Sequence, residues 1–266
     1  MLSCKRHPFI FMSECIVIPT FARPEILAHA LMKISSCPDA PDDVRIFLDH
    51  SPEKRVQEVE WVRDTYLPRA LTFHAAEHDA CTSGTWNILH SLKAGYDTGA
   101  ELVWIVEEDV LMKPGAFDYA RKILGENNGE IVAVCGRRIP TFFQRYGDLY
   151  TNPGSCLTRR LLAGVVPHLN SEYFADTGGY ITRTFKHPPF NSSLDDGLIR
   201  MVVREMGGRC AYPDQPLCAH QGFDWYNEID IYSNNEGSLQ ERIAKFETIT
   251  ARIKPGDRYA QDFEPF

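Results

Sequence analysis

The sequence predicts an α/β protein in which a mixed, mostly parallel sheet is flanked by helices. Short apolar runs typical of buried strands alternate with segments whose apolar residues recur at helical spacing, and this rhythm indicates βαβ units. The chain has 266 residues, with 44% hydrophobic and 24% charged residues, which is ordinary for a globular protein with a sizeable core. No apolar run approaches the roughly 20 residues that a membrane-spanning helix needs.

The net charge and the cysteine spacing exclude some functional classes of protein. A net charge of −8 argues against a protein that coats nucleic acid or an anionic membrane, although it allows a local basic patch. None of the eight cysteines forms a C-x-x-C pair, so they do not indicate a zinc site. Cys15, Cys135 and Cys156 are predicted core residues, whereas Cys210 and Cys218 could pair in an oxidising compartment. The N terminus lacks a signal-peptide core, so we expect a cytosolic protein.

The first half of the chain has the clearest alternation of strands and helices. The predicted strands are apolar runs rich in β-branched and aromatic residues, and they cover residues 15–19, 44–48, 71–73, 102–106 and 131–135. Proline suits the first position of a helix, and Ser or Thr suits the position before it. On these signals the predicted helices begin at Pro24, Ser51–Pro52, Thr82 and Pro114.

Beyond Gly136 the alternation is lost. We predict short elements and long loops over residues 137–195, a helix from Asp195 that stops at Gly207, and a strand over residues 209–213. A last helix, with apolar residues from Leu239 to Ile253, should pack back on the body. The predicted organisation is an extension over residues 1–13, a main domain over residues 14–225 that divides into 14–136 and 137–225, and a C-terminal helix and tail over residues 226–266.

The strand at residues 102–106 runs directly into Glu107, Glu108 and Asp109. Unpaired carboxylates are too costly to bury, so these side chains must emerge where the strand ends. In open α/β sheets ligands bind at that edge, and acids there suit a hard cation such as Mg²⁺ or Mn²⁺. The alternative is a solvated acidic turn before Lys113. Alternation along the strand would direct Glu108 to the opposite face.

Further polar groups follow other predicted strands, and their order along the chain resembles that of a known enzyme family. These groups are Val17-Ile18-Pro19-Thr20, Asp49, the D-x-D-type run Glu107-Glu108-Asp109, Asp195-Asp196 before a helix ending at Gly207, Tyr212-Pro213 after that helix, and His220. With them the chain resembles glycosyltransferases of the GT-A fold, close in layout to the family 2 enzymes, over roughly residues 14 to 225. The resemblance implies a Rossmann-like mixed sheet and a nucleoside-diphosphate sugar donor, with a UDP-sugar expected first.

The resemblance also implies a metal site. Asp109 would hold Mn²⁺ or Mg²⁺ together with His220, and Glu107 would lie nearer the ribose or a metal-bound water. Such an ion stabilises the charge that develops on a diphosphate leaving group. An imidazole ligand would favour Mn²⁺. The alternative for His220 is an ordinary hydrogen-bonded loop histidine.

The remaining donor contacts follow from the same resemblance. Thr20 to Arg23 resembles the loop around the base and ribose, Asp49 the acid that contacts the base, and residues 84–87 the donor-sugar region. Asp49 could instead cap the following helix, and Trp86 could be a core residue. The full expected donor set is Pro19, Thr20, Phe21, Arg23, Asp49, Gly84, Trp86, Asn87, Glu107 and Glu108.

Asp195 and Asp196 are the candidates for the catalytic base. An inverting transfer needs a carboxylate that takes the proton of the acceptor hydroxyl as its oxygen attacks the anomeric carbon. The resemblance favours Asp196 for this role. The alternative is that one or both aspartates cap the helix that follows.

Of the two substrates, the acceptor is the one whose identity the sequence constrains least. Residues 121–160 hold seven Lys or Arg against three acids, and the expected acceptor-binding residues within them are Arg137, Arg138, Phe142, Phe143 and Arg145. Interleaved cations and aromatics suit a saccharide or a nucleic acid. A hydroxymethylated base flipped out of DNA is one candidate, and phage enzymes that glycosylate modified DNA bases include GT-A-like proteins. Alternatively, these arginines neutralise the donor diphosphate or pair with nearby acids.

Two other enzyme classes and one binding class compete with this interpretation. A sugar nucleotidyltransferase usually has a glycine-rich loop after its first strand, and residues 19–23 contain no glycine. A dinucleotide-dependent dehydrogenase would need G-x-G-x-x-G after a strand, which the chain lacks. A non-catalytic binding module on the same scaffold is disfavoured because acids stand at all three expected positions.

Overall fold

An eight-stranded mixed sheet with helices on both faces forms the centre of the protein, which confirms the predicted fold class. It is described from a computed structural model over residues 13–21, 23–49, 53–75, 83–127, 129–137, 145–186, 194–220 and 237–250. The strands are β1 (Glu14–Thr20), β2 (Asp43–Leu48), β3 (Leu71–His74), β4 (Leu102–Ile105), β5 (Val110–Met112), β6 (Ile131–Val134), β7 (Tyr146–Gly147), β8 (Ser155–Thr158), β9 (Arg209–Ala211) and β10 (Cys218–His220). The α-helices are α1 (Pro24–Ser36), α2 (Glu53–Tyr66), α3 (Ser83–Asp97), α4 (Ala116–Glu126), α5 (Arg159–Val165), α6 (Ser171–Ala175), α7 (Thr177–Phe185), α8 (Leu194–Glu205) and α9 (Leu239–Thr250).

The strand order determines which strand ends meet. The large sheet has the order β3–β2–β1–β4–β8–β6–β9–β7. The pairs β1–β2, β1–β4, β2–β3 and β6–β9 are parallel, and the pairs β4–β8, β6–β8 and β7–β9 are antiparallel. Because β8 is antiparallel to both of its neighbours, β6 runs in the same direction as β4. A separate antiparallel sheet pairs β5 with β10.

Alternating side chains of the central strands enter two apolar layers. On β1, Ile16 and Ile18 belong to the layer shared with α1, α2 and α4, whereas Cys15 and Val17 belong to the layer shared with α3, α5 and α8. All four side chains are fully buried. This is the pattern expected for a strand covered by helices on both faces, where removal of apolar surface from water supplies most of the stabilisation.

The elements predicted before residue 136 are confirmed with small differences at their ends. The strand before the acids ends at Ile105, one residue earlier than predicted. Helix α4 begins at Ala116 rather than Pro114, because the intervening Gly115 has a left-handed conformation with φ of 81°. Several predicted helix residues lie outside the described residues, namely Ser51, Pro52, Thr82 and Ile253.

The second half contains a central strand that the sequence did not single out among its predicted short elements. Ser155–Thr158 is a strand at the centre of the sheet, between β4 and β6. Its four residues begin with Ser and end with Thr, so the sequence offers no long apolar run to indicate a buried strand. Cys156 and Leu157 are nevertheless fully buried, because the strand has partners on both sides and helices on both faces.

The described cysteines are buried free thiols, namely Cys15, Cys37, Cys135, Cys156, Cys210 and Cys218. Burial raises the pKa of Cys15 to about 11 and the pKa of Cys218 to about 12, so both thiols are protonated at neutral pH. The predicted core role of Cys15, Cys135 and Cys156 is confirmed by their complete burial.

Helix α9 packs on the body as predicted. Its Arg242 is 6% exposed and reaches two acids of other helices. The Nε atom donates to Glu25 Oε1 of α1 at 2.5 Å, and the Nη2 atom donates to Glu58 Oε1 of α2 at 2.6 Å. Across the described helices, none combines the length and apolar character required to cross a membrane.

Candidate active site

The carboxyl ends of β1, β2 and β4 lie side by side at one edge of the sheet, because these strands are parallel neighbours. Thr20 ends β1, Asp49 directly follows β2, and Glu107 comes shortly after β4. Arg137 follows β6 and reaches the same edge, since β6 runs in the direction of β4. Polar residues that are far apart in sequence therefore meet at one edge.

A close approach at Gly136 brings the later segments to this edge. A Cβ atom at Gly136 would lie 2.4 Å from the carbonyl oxygen of Pro153, so only glycine fits without a shift. The Gly136 N–H donates to Ser155 Oγ at 3.1 Å, and its carbonyl accepts from the Leu217 N–H at 2.8 Å. The end of β6, the turn before β8 and the start of β10 are thereby held together.

The acidic run forms a turn rather than an extension of the strand, closed by a backbone hydrogen bond of 2.9 Å across Glu107–Val110. Glu108 is fully buried, and its carboxylate accepts hydrogen bonds from the Thr20 hydroxyl and from the Phe21 N–H, the latter at 3.1 Å. It also pairs with the Arg23 guanidinium. Burial raises the pKa of Glu108, and Arg23 and Thr20 oppose that rise. The expectation that strand alternation directs the Glu108 side chain to the opposite face is wrong. Glu108 lies in a turn, and its side chain contacts the β1–α1 loop.

The pairing of β5 with β10 brings His220 to the acidic turn. His220 pairs with Val110, the residue after Asp109, and its Nε2 lies 3.4 Å from Asp109 Oδ1. On the other side, Arg23 Nη2 lies 3.6 Å from Asp109 Oδ2. Burial acts to raise the pKa of Asp109, but the hydrogen bond and charge of His220, together with Arg23, outweigh it and hold the pKa below its ordinary value.

Four carboxylates interact at the centre of this edge. The pKa of Glu107 is raised well above its ordinary value. Burial is the largest cause, followed by the charges of Asp109, Asp195 and Asp196, and Arg23 opposes the rise. Mutual repulsion of this kind is relieved by a bound cation or by a retained proton. The region therefore suits a cationic ligand.

The two aspartates at the start of α8 have different surroundings. Asp195 is 2% exposed, and its two oxygens accept hydrogen bonds from the Thr85 hydroxyl at 3.3 Å and from the Asn152 amide. Burial raises the pKa of Asp195, and its hydrogen bonds oppose that rise. Asp196 is the more exposed of the two. Asp195 therefore ties α8 to α3 and to the segment before β8, while Asp196 is more accessible to a substrate.

Two residues of the expected donor set support the strand ends. Asn87 is 1% exposed, and its Nδ2 donates to the carbonyl oxygens of Thr20 at 3.3 Å and Phe47 at 3.1 Å. It thereby links the ends of β1 and β2. Asp49 is also buried, and its backbone N–H donates to the Thr20 carbonyl at 3.0 Å.

The other expected donor residues differ in their exposure. Phe21 is 37% exposed, and a Cβ atom at Gly84 would lie 3.4 Å from its Cζ, so the Phe21 ring covers the start of α3. Trp86 is half-buried and stacks on His90 with ring centroids 3.8 Å apart, which agrees with its alternative role as a packing residue. Pro19 is buried within β1.

The expected acceptor residues separate in the structure. Arg145 directly precedes β7, with its guanidinium 5.8 Å from the Tyr146 ring centroid. Strand β7 is four positions from β4, or about 19 Å across the sheet at the usual strand spacing. Arg137 lies closer to the acids, because it follows β6, which is two positions from β4 and runs in the same direction. Arg138, Phe142 and Phe143 lie outside the described residues.

Asp109 and His220 fit a cation whose remaining ligands come from a bound molecule. Within the described ranges, no three His, Cys, Asp or Glu side chains are placed to hold an ion by themselves. Two adjacent ligands of an octahedral ion, each about 2.1 Å from it, lie about 3.0 Å apart. The distance of 3.4 Å between Asp109 Oδ1 and His220 Nε2 is close to this value. A carboxylate and an imidazole among further acids suit Mn²⁺ or Mg²⁺.

The sequence interpretation missed three residues that surround the aspartate pair. Asn152 and Thr85 hold Asp195, and Tyr150 is fully buried beside the pair. Burial and then the charge of Asp196 raise the pKa of Tyr150 well above its ordinary value, so its phenol is protonated. Asn152 and Tyr150 fall in the segment for which the sequence predicts only short elements and long loops, and Thr85 is an ordinary residue just after a predicted helix start.

Comparison of the sequence with protein-family profiles and with curated proteins gives no match. Solved structures do resemble the fold. A mannosyltransferase from Pyrobaculum calidifontis, PcManGT, in complex with GDP-Man and Mn²⁺, matches with a TM-score of 0.56 and 14% identity, covering 91% of this chain and 65% of that one. This chain thus spans slightly less than two thirds of that protein.

TarS residues 1–349 from S. aureus, in complex with UDP, match with a TM-score of 0.53 and 14% identity, covering 95% of this chain and 76% of that one. The same fragment in complex with UDP-GlcNAc matches with a TM-score of 0.50 and 12% identity, over the same shares of the two chains. At such low identity the likeness is one of fold. The mixed sheet, its flanking helices and these neighbours together identify the chain as having the GT-A fold of glycosyltransferases.

Proposed function

We propose that this protein is a divalent-metal-dependent glycosyltransferase that moves a sugar from a nucleoside-diphosphate sugar to a hydroxyl acceptor with inversion. The observation that carries the proposal is that the Asp109–His220 pair and the Asp195–Asp196 pair lie at the same edge of a GT-A sheet. Asp109 and His220 suit a cation at the diphosphate, and Asp195 and Asp196 suit proton transfer beside the sugar. The ligands named for the structural neighbours, GDP-Man with Mn²⁺, UDP and UDP-GlcNAc, support a nucleotide-sugar donor.

The proposed roles follow from the contacts. Asp109 and His220 hold the cation, and the β1–α1 loop, from Thr20 to Arg23, surrounds the base and ribose. When bound, the cation neutralises the charge that develops on the departing diphosphate. The acceptor oxygen bonds to the anomeric carbon as the bond from that carbon to the diphosphate oxygen breaks. Asp196 takes the acceptor proton, and Asp195, held by Thr85 and Asn152, fixes the start of α8.

A donor screen tests this function. Purified protein with Mn²⁺ is offered UDP-sugars and GDP-mannose, and the release of nucleoside diphosphate is measured. We expect release from at least one donor, its loss when the metal is chelated, and its recovery when Mn²⁺ is added back. The absence of both release and Mn²⁺-dependent donor binding across the panel would reject the proposal.

For the acceptor, we propose a hydroxymethylated base in DNA. The support is the position of Arg137 after β6, at the edge that holds the acids, in a protein of net charge −8. A cation beside the site can bind a backbone phosphate and orient a flipped base without reading sequence. A saccharide or small-molecule acceptor is the competing outcome of the test.

Charge reversal at Arg137 is expected to weaken use of a DNA acceptor and to leave donor hydrolysis unchanged. Loss of one phosphate contact lowers the slope of log affinity against log salt by about one, and we expect the KM for hydroxymethylated DNA to rise roughly tenfold in Arg137→Glu. The measurement is transfer to an oligonucleotide at several salt concentrations. Arg160→Glu, whose guanidinium contacts the Gly129 carbonyl far from this edge, is the matched control. Transfer to saccharides but not to DNA would reject the DNA acceptor.

A further inference from the structure

Arg23 lies between two carboxylates of the acidic turn. Its Nε donates to Glu108 Oε1, and its Nη2 lies 3.6 Å from Asp109 Oδ2. All three side chains are buried, with exposures of 7% for Arg23, 0% for Glu108 and 4% for Asp109. A single positive charge is therefore shared between a proposed metal ligand and a neighbouring acid.

The two contacts of Arg23 are unequal. Glu108 receives a direct hydrogen bond, whereas the distance to Asp109 exceeds that of an ordinary charge-assisted hydrogen bond, about 2.8 Å. Glu108 is enclosed by the Thr20 hydroxyl, the Phe21 N–H and Arg23, and it has no exposed surface. In this arrangement Glu108 contacts the loop and the guanidinium rather than a donor.

The charge balance around Asp109 depends on this inequality. While Glu108 neutralises Arg23, the carboxylate of Asp109 keeps its charge for a cation on the side of His220. If the charge of Glu108 is removed, the guanidinium charge is no longer offset by that acid and repels an incoming cation more strongly. The guanidinium is then also drawn toward Asp109 Oδ2, 3.6 Å away, because burial strengthens the attraction between opposite charges.

We propose that Glu108 is a positioning residue that holds the Arg23 guanidinium away from Asp109 and so keeps Asp109 available to a divalent cation. This inference rests on the proposed function, since it takes Asp109 as a metal ligand. It assigns to the middle acid of the run a role that requires no contact with the metal or the donor. Residues that orient metal ligands through hydrogen bonds commonly change metal affinity by about 10- to 100-fold.

The test is a double-mutant cycle read by Mn²⁺ binding to the full chain, alone and with UDP, measured by the loss of the free-ion paramagnetic signal beyond that caused by UDP itself. We expect Glu108→Gln to weaken Mn²⁺ binding about 10- to 100-fold. We expect Arg23→Gln to leave binding as tight as in the wild type or tighter, because it removes the repelling charge. The double variant should return to within about threefold of the wild type, since neither charge remains.

A matched control distinguishes this role from general destabilisation. Glu14 lies at the other end of β1 and pairs with Arg121, with its Oε1 2.6 Å from Arg121 Nε. Glu14→Gln removes a half-buried Glu–Arg pair far from the site, so it should lower the melting temperature and leave Mn²⁺ affinity unchanged. If Glu108→Gln does not fold, Arg23→Gln still decides the question, because weaker Mn²⁺ binding in that variant contradicts the proposed repulsion.

The outcomes separate this inference from the proposed function. Wild-type affinity in folded Glu108→Gln, or a double variant as weak as Glu108→Gln, would overturn the role of Glu108 while the metal site stands. If the wild-type protein binds no Mn²⁺ either alone or together with UDP, both the metal site and the role of Glu108 fail.

Discussion

Replacing Asp109 with alanine is expected to abolish Mn²⁺-dependent donor binding. Asp109 is the buried carboxylate that lies beside both His220 and Arg23, and its removal leaves an imidazole facing a guanidinium. An imidazole beside a guanidinium offers a cation one ligand and no negative charge. Because the loss of an orienting residue alone costs about 10- to 100-fold in metal affinity, the loss of a ligand should raise the Kd for UDP in the presence of Mn²⁺ by about 100-fold or more.

Calorimetric titration of UDP with and without Mn²⁺ measures this effect. The matched control is Asp43→Ala, because Asp43 begins β2 at the opposite edge of the sheet and pairs with the neighbouring Arg45 at 2.9 Å. The control should bind UDP and Mn²⁺ like the wild type. Mn²⁺-dependent binding that persists in folded Asp109→Ala would mean that the metal is held by other residues.

Replacing Asp196 with asparagine is expected to remove sugar transfer while donor binding is retained. A general base contributes roughly 10²- to 10⁴-fold to a rate, so kcat should fall by that factor. The Kd for the donor with Mn²⁺ should stay within about twofold of the wild type, because in the proposed site Asp109 and His220, not Asp196, hold the metal at the diphosphate. The measurements are transfer under saturating donor and, separately, donor binding.

Asp195→Asn is the informative comparison for this prediction. The oxygens of Asp195 accept hydrogen bonds from Thr85 and Asn152, so its replacement leaves an amide facing the Asn152 amide. The main effect should be a lower melting temperature, with a smaller loss of kcat than in Asp196→Asn. Full transfer activity in Asp196→Asn would mean that the base lies elsewhere or that the reaction proceeds with retention.

The alternation of apolar runs and helical faces was sufficient to predict the fold class, because both patterns are local and repeat along the chain. It did not single out Ser155–Thr158, a central strand whose four residues lack an apolar run. The burial of that strand comes from its partners β4 and β6, which are remote in sequence. Strand pairing of this kind is a property of the assembled sheet, so no local pattern reveals it.

In the candidate site, too, some residues were recognisable from sequence and others were not. The run Glu107–Asp109 was recognisable from sequence because three acids after an apolar strand must find partners or water. The partners themselves were not recognisable: Thr85 and Asn152, which hold Asp195, look like ordinary helix-start and loop residues. Their importance arises only when α3, β8 and α8 are brought together.

By itself, the sequence determined that this is an α/β protein with acids at the ends of its strands. Apolar runs, helical periodicity and acidic residues are local patterns that can be recognised without knowing the fold. Only the tertiary structure decided what each acid contacts. The β5–β10 pairing brings His220 beside Asp109, and the turn after β4 directs Glu108 to Arg23 instead of to the face set by strand alternation. The physical reason is that the strength of a carboxylate's interactions depends on burial and on charges within a few ångströms, and those neighbours come from segments about 85 to 110 residues away.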